Sequence, residues 1–208
     1  MSQDFPPGFF ARLDESADAA FYAAPRFVVH IDEATIAALT RWYAEVLAPG
    51  ADVLDLMSSW VSHLPDAEAL PLGRVVGLGM NAAELAANPR LASYDVQDLN
   101  AAPRLPYPDA SFDAVLCAVS IQYLTRPVEV FAEAARVLRP GGRVAIATSQ
   151  RCFPTKAIRA WHVLPPEERL GAIALYLERA GGFEPAQVVD RSPPGADPLW
   201  IVTARRAV

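Results

Sequence analysis

The fold is decided by LPYPDASFDAVLCAVSIQYLTRPVEVFAEAARVLRPGGRVAIA, residues 105–147. Residues 111–120 are an apolar run of strand length, and the apolar residues of 128–138 recur every three or four positions, which predicts a helix. Residues 139–142, Arg-Pro-Gly-Gly, end that helix, and RVAIATS at 143–149 predicts a second buried strand. Strand, helix and strand in succession indicate two parallel strands joined by a crossover helix.

The same alternation extends on both sides of this stretch. Helical periodicity begins at Asp32 and stops at Pro49-Gly50, and a later helix spans about Glu167 to Ala180. The other segments are predicted as strands at 51–57, 74–80 and 91–97, helices at 59–70 and 81–89, and an antiparallel strand pair at 186–192 and 199–205. Strands that alternate with helices favour an α/β, doubly wound, mostly parallel sheet with an antiparallel hairpin at one edge.

Residues 1–31 differ in composition from the rest of the chain. They hold six aromatic residues and three prolines without a clear period, and so many aromatics predict a segment that packs on the main body. The sequence therefore predicts an N-terminal lid at 1–31 and one domain at 32–208.

Composition excludes several classes of protein. The chain has 208 residues, 52% hydrophobic and 20% charged, which fits a globular domain and excludes collagenous and disordered chains. A formal charge of −6 without a basic stripe gives little support for nucleic-acid binding. Without a basic leader or an apolar run of about 20 residues, we expect a cytoplasmic protein with no membrane partner. Cys117 and Cys152 are far apart and the three histidines share no ligand spacing, so no metal site is expected, and the oligomeric state stays open.

The stretch at 105–147 resembles the class I S-adenosylmethionine-dependent methyltransferases, in particular the methyltransferase type 11-like branch. A proline-rich turn, a fourth strand, a short loop, a helix ending in VLRPGG and a fifth strand follow in the order and spacing typical of that family. The likeness covers roughly residues 32–206. It implies a seven-stranded Rossmann-like sheet and S-adenosylmethionine as the cofactor, bound at the carboxyl ends of the strands.

The resemblance implies a set of cofactor-binding residues. They follow the first four strands and are Asp55, Met57, Ser58, Ser59, Met80, Asn81, Asp98, Leu99 and Ala118. Met80 matches the apolar residue that packs on the adenine, and Asp98 matches the acid that meets the adenine amino group. Asn81 offers an amide oxygen for a ribose hydroxyl.

Two departures from the family pattern concern the same pocket. The family usually has DxGxGxG after the first strand, but VLDLMSSWVS at 53–62 places Met57, Ser59 and Val61 at the three glycine positions. Side chains there oppose positive φ and occupy the space of a close ligand. At the end of the second strand, Gly79 stands where the family has an acid that binds the ribose. The first motif is therefore divergent and glycine-poor.

Each cofactor residue also has a structural interpretation that the sequence leaves open. Asp55, Ser58 and Ser59 are residue types that cap the predicted helix after the first strand. Met57 and Met80 are equally compatible with ordinary core packing.

Candidates for catalysis and substrate binding come from the lid and from the fifth strand. His30 and Tyr22 are the first candidates for a base, since a hydroxyl acceptor needs one. Arg26 is predicted to bind an acidic substrate group, or else to pair with Asp32 or Glu33. Lys156 is the chain's single lysine and a second candidate for an anionic group. His63 is expected to be structural, within the helix at 59–70.

These residues favour methyl transfer from S-adenosylmethionine to a small molecule. The alternative is a methyltransferase-like binding or regulatory module with impaired cofactor binding, which the missing glycines and the missing ribose acid favour. A nicotinamide-dependent oxidoreductase ranks last, because it depends on a glycine fingerprint that this chain lacks.

Overall fold

The structure is a computed structural model that describes residues 5–208. Its strands are β1 (Val53–Ser58), β2 (Val75–Gly79), β3 (Ser93–Val96), β4 (Phe112–Ala118), β5 (Leu138–Thr148), β6 (Gln187–Asp190) and β7 (Trp200–Arg205). Its helices are α1 (Asp18–Phe21), α2 (Glu33–Val46), α3 (Ala82–Ala87), α4 (Pro127–Val137), α5 (Arg159–Val163) and α6 (Pro166–Ala180).

Within residues 5–208 the strands form one sheet in the order β3-β2-β1-β4-β5-β7-β6. Neighbours from β3 to β5 are parallel, whereas β7 runs antiparallel to both β5 and β6. The predicted α/β fold is therefore confirmed, with seven strands and an antiparallel edge.

The decisive stretch folds as a strand, a helix and a strand. α4 ends at Val137, and β5 begins directly at Leu138, so the Arg-Pro-Gly-Gly segment belongs to the start of the strand. Pairing with β4 shifts register between Phe112 and Ala114, where this segment supplies extra residues, and Gly141 has φ +76°. The extra residues make a bulge at the edge of the ladder.

The core lies on both faces of the sheet. α4 and α6 cover one face, where Phe131 of α4 and Ile173 of α6 are buried in the same cluster as Val115 of β4. α2 covers the other face and buries Leu39 and Trp42. Asp32 is the N-cap of α2, and its side chain accepts the Thr35 amide.

The helix predicted at 59–70 is wrong: residues 59–74 form an irregular loop. Pro65 lies in its middle, where it would remove a helical hydrogen bond, and His63 has φ +53°, a left-handed conformation that ends a helix. Thr40 Oγ1 donates to the His63 carbonyl oxygen at 2.8 Å, which ties the loop to α2. With no helix here, Asp55, Ser58 and Ser59 cannot be its caps.

The described part of the predicted lid packs on the main body, while residues 1–4 lie outside the described residues. The rings of Phe5 and Phe10 contact Tyr176 of α6, with centroids 5.5 and 6.0 Å apart. Arg12 pairs with Ile158 in an isolated antiparallel bridge. The helix–sheet body and residues 5–21 thus share a core.

Candidate functional site

A cavity with about 1080 Å³ of empty space, open mouth included, lies at the carboxyl ends of β1, β2 and β4. Ligands bind at this end of open α/β sheets, where the strand order reverses between β1 and β4. Eleven of the thirteen residues predicted for the site line the cavity: Tyr22, Arg26, His30, Asp55, Met57, Ser58, Ser59, Met80, Asp98, Leu99 and Ala118. The structure therefore brings these residues together.

Asp55, in β1, is the buried acid of the site. Its Oδ2 accepts hydrogen bonds from the hydroxyls of Ser58 at 2.5 Å and Ser62 at 2.6 Å. Burial raises the pKa of Asp55 to about 6, and the two hydroxyl donors only partly offset it. The carboxyl group thus changes charge close to neutral pH.

The carboxyl end of β1 holds a left-handed residue that is not a glycine. Met57 has φ +59°, and the register of β1 with β2 shifts across it, so that Ser58 pairs with Gly79. The same shift brings the Ser58 carbonyl oxygen to 2.2 Å from where a Cβ on Gly79 would stand. No side chain fits at Gly79, which is why an acid is absent there.

Asn81 does not line the cavity, contrary to its predicted contact with the ribose. Its Oδ1 accepts the amides of Ala83 and Glu84 as the N-cap of α3. Its Nδ2 donates to the carbonyl oxygens of Tyr22 and Ala23 at 2.9 and 3.2 Å. The amide is therefore occupied in joining the lid to α3.

Lys156 also lies away from the cavity, which removes the basis for its predicted substrate contact. Its side chain is fully buried, and Nζ lies 3.2 Å from carboxylate oxygens of both Asp14 and Asp18. Nζ also donates to the Ser16 carbonyl oxygen at 2.7 Å. Lys156 thus holds the N-terminal segment on the body.

Glu84, in α3, lines the cavity as well and is not among the residues predicted for the site. One carboxylate oxygen accepts the Arg26 amide at 2.7 Å and the other accepts the Ser59 hydroxyl at 2.6 Å. An acid one turn into a short helix after β2 is the only sequence signal that could have indicated it. Glu84 provides the carboxylate that Gly79 cannot carry.

Two histidines line the cavity. Burial lowers the pKa of His30, and burial together with the charge of His30 lowers the pKa of His63 to about 4. Both rings are therefore neutral near pH 7. His63 was expected to be structural, but its buried Nδ1 has no hydrogen-bond partner among the described residues.

The charges around the cavity are mostly acidic. Asp18, Asp55, Glu84 and Asp98 line it, and Arg26 is the single arginine or lysine that does so within residues 5–208. In the same range, no group of three potential ligand side chains is arranged for a metal ion, and no helix has the length and apolar character to cross a membrane.

Comparison with known proteins finds methyltransferases. A family model described as a methyltransferase domain matches residues 59–146. The 27-O-demethylrifamycin SV methyltransferase of Amycolatopsis mediterranei is 46% identical over 65 residues, 29% of this chain and 24% of that protein. The ubiquinone/menaquinone biosynthesis C-methyltransferase of Dinoroseobacter shibae is 35% identical over 121 residues, 54% of this chain and 47% of that protein.

The solved structure of the [4+2]-cyclase SpnF superposes with a TM-score of 0.62 at 21% identity, and the match covers 82% of this chain and 81% of that one. At this identity the likeness concerns the fold. The chain spans about a quarter to a half of the length of the two curated relatives.

Proposed function

We propose that the chain is a class I S-adenosylmethionine-dependent methyltransferase that transfers the methyl group of that cofactor to a small molecule, because its relatives by sequence are methyltransferases. The observation that carries the proposal is the cavity at the carboxyl ends of β1, β2 and β4. Eight of the nine residues predicted to bind the cofactor line that cavity. These eight residues were predicted from four separate segments of the sequence, so their common position in one cavity is not expected by chance.

The residues of the cavity fit S-adenosylmethionine chemically. Met80, Leu99 and Ala118 offer apolar contacts for the adenine ring. Asp98 accepts the amides of Asn100 and Ala101 through Oδ1, and Oδ2 receives no hydrogen bond from the described residues. We assign that oxygen to the adenine amino group.

The ribose hydroxyls are assigned to Glu84 in place of Asn81. Its carboxylate is buried at the cavity wall, and each oxygen has a second lone pair beyond those that bind Ser59 and Arg26. The surplus of carboxylates in the cavity also suits a ligand that carries a sulfonium and an ammonium group.

The cofactor supplies a methyl group already activated by its sulfonium sulfur. What remains for the chain is to align the acceptor and exclude water. For a hydroxyl acceptor, we assign the role of base to the neutral ring of His30, because a pKa of about 4 makes His63 a much weaker proton acceptor. Burial raises the pKa of Tyr22, so its phenol stays protonated and serves as a hydrogen-bond donor, not as the base first proposed for it.

Calorimetry with S-adenosylmethionine and S-adenosylhomocysteine tests the proposal directly. We expect binding to the unaltered chain and at least tenfold weaker binding to Asp98→Ala, because a hydrogen bond to a charged group contributes about 1.5–3 kcal/mol. Asp66→Ala is the matched control, since Asp66 is an exposed aspartate in the 59–74 loop and does not line the cavity. No heat at millimolar ligand would refute the methyltransferase function.

A second candidate is a binding or regulatory module that has lost cofactor chemistry. Met57 is the observation that favours it, because its side chain stands where the family pattern has a glycine close to the ligand. The same calorimetry separates the two candidates, since the module would bind neither form of the cofactor.

A further inference from the structure

The segment from Tyr22 to His30, named here the entrance strap, forms one wall of the cavity. It contains no helix or strand and is fixed by side chains of its neighbours. Trp60 Nε1 donates to the Val28 carbonyl oxygen at 2.9 Å, and Glu84 accepts the Arg26 amide at 2.7 Å. These bonds use only the strap's backbone, so its side chains are left for other contacts.

The Arg26 guanidinium makes no ion pair with the described residues. Its guanidinium carbon lies 4.4 Å from the ring centre of Phe21 and 5.8 Å from that of Phe153, which holds its plane in place. The one hydrogen bond of its guanidinium to a described residue is a long one, 3.3 Å from Nη1 to the Ala24 carbonyl oxygen. No described carboxylate lies within ion-pair distance of it, so the predicted pairing with Asp32 or Glu33 is not formed.

Two of the four acids that line the cavity, Asp18 and Glu84, are by contrast already engaged. Asp18 receives two hydrogen bonds from Arg12, at 2.7 and 2.8 Å, and an ion pair from Lys156. Glu84 receives the Arg26 amide and a serine hydroxyl. The Arg26 guanidinium therefore has no carboxylate partner, while the charge of Asp18 is balanced by Arg12 and Lys156 and Glu84 accepts two hydrogen bonds. An anion that enters the cavity can pair with Arg26.

The strap also presents an apolar surface next to Arg26. Phe27, Val28 and Val29 are 53%, 48% and 46% exposed, and Val28 and Val29 line the cavity. The Phe27 ring packs edge-on against Trp60, with centroids 6.1 Å apart. Three consecutive large apolar residues that remain exposed, two of them at the cavity wall, mark a surface suited to an apolar ligand.

We propose that the acceptor is a largely apolar molecule with one acidic group, held by Arg26 through that group and by Phe27, Val28 and Val29 through its apolar body. The role of this molecule as the methyl acceptor rests on the proposed function. Its recognition, however, depends only on the strap and can be measured without the cofactor.

Two fluorescent probes with the same ring skeleton separate the two parts of the surface. 8-Anilinonaphthalene-1-sulfonate carries the anion, whereas N-phenyl-1-naphthylamine lacks it, and both become fluorescent in apolar sites. Each is titrated into the unaltered chain, Arg26→Gln and Phe27→Ser, with and without S-adenosylhomocysteine. Arg41→Gln is the charge-matched control, because Arg41 is exposed on α2 and does not line the cavity.

We expect Arg26→Gln to weaken binding of the sulfonate probe at least tenfold and binding of the neutral probe less than twofold. Phe27→Ser should weaken the binding of both probes. Equal effects of Arg26→Gln and Arg41→Gln on the sulfonate probe would overturn the proposal, as would an equal loss of both probes in Arg26→Gln. If S-adenosylhomocysteine fails to bind while the probe pattern holds, the proposed function fails and the anion site stands.

Discussion

Replacing Lys156 by Met tests whether a buried ion pair holds the N-terminal segment on the body. Lys156 is fully buried, and its Nζ reaches Asp18, Asp14 and the Ser16 carbonyl oxygen, at 2.7 to 3.2 Å. Methionine keeps a long unbranched chain but removes the charge and every donor. The variant therefore reports on the polar contacts more than on packing.

The expected loss in the free energy of unfolding depends on the buried charge that Lys156→Met leaves without its partner. Removing one partner of a buried ion pair costs about 3–5 kcal/mol, because the other charge stays buried. Asp18 keeps its two hydrogen bonds from Arg12 and one from Asn100, so we expect the lower end, about 3 kcal/mol. At about 2–4 °C for each kcal/mol in a chain of this size, the melting temperature falls by about 6–12 °C.

Urea unfolding of Lys156→Met and of the exposed control Arg41→Met gives the comparison. The control should stay within about 0.5 kcal/mol of the unaltered chain, as surface substitutions usually do. Hydrogen exchange adds a local readout: the Asp14 amide, bonded to the Thr155 carbonyl oxygen, should lose protection first. A loss under about 1 kcal/mol, or unchanged exchange at Asp14, would refute the assignment of Lys156 as the anchor.

Three further outcomes follow from the turn after β1 and its neighbours. Met57→Gly should be more stable than Met57→Ala by about 1 kcal/mol in urea unfolding, the reverse of the usual order, because the left-handed conformation strains any residue with a Cβ; an alanine variant that is the more stable would contradict this. Gly79→Ala should lower the free energy of unfolding by about 1–3 kcal/mol through contact with the Ser58 carbonyl oxygen. Gly171→Ala, in an open helical position, should raise it by up to about 1 kcal/mol. Similar effects of the two substitutions would show that β1 and β2 are further apart. Because the folded pKa of Asp55, about 6, lies above its unfolded value, Asp55 stabilises the fold fully below about pH 4 and that contribution is lost as pH rises through 6. Asp55→Asn should therefore gain about 2.4 kcal/mol on the unaltered chain between pH 4 and pH 7, and parallel stability curves for the two would contradict the raised pKa.

Periodic patterns allowed most of the fold to be predicted from sequence. α4 and α6 lie within about two residues of their predicted bounds, because apolar residues at helical spacing must face a core wherever that core lies. The short apolar run at 114–119 has the length of a strand buried on both faces, and most of it lies in β4. These patterns involve residues that are close in sequence, so they can be interpreted without knowledge of the tertiary structure.

Polar side chains were harder to place, since their partners come from distant parts of the chain. Lys156 follows β5 at the carboxyl end of the sheet, a position that suggests a contact with an anionic substrate group, but its partners lie about 140 residues earlier, in a segment that no local pattern connects to β5. Asn81 was assigned to a ligand for its amide oxygen, and the start of α3 uses that oxygen instead. His63 was placed in a helix that Pro65 and its own left-handed backbone prevent.

The two departures from the family pattern have one structural cause. With Met57 in the left-handed region and unpaired in the ladder, Ser58 moves into register with Gly79, and its carbonyl oxygen takes the space of any side chain there. A chain with this turn cannot also keep an acid at the end of β2, so the missing glycines and the missing acid are not independent losses. Glu84, one turn later in α3, returns a carboxylate to the same cavity. The altered turn is therefore compatible with a site that still binds a polyhydroxyl cofactor, which is the step that favours an enzyme over an inactive relative.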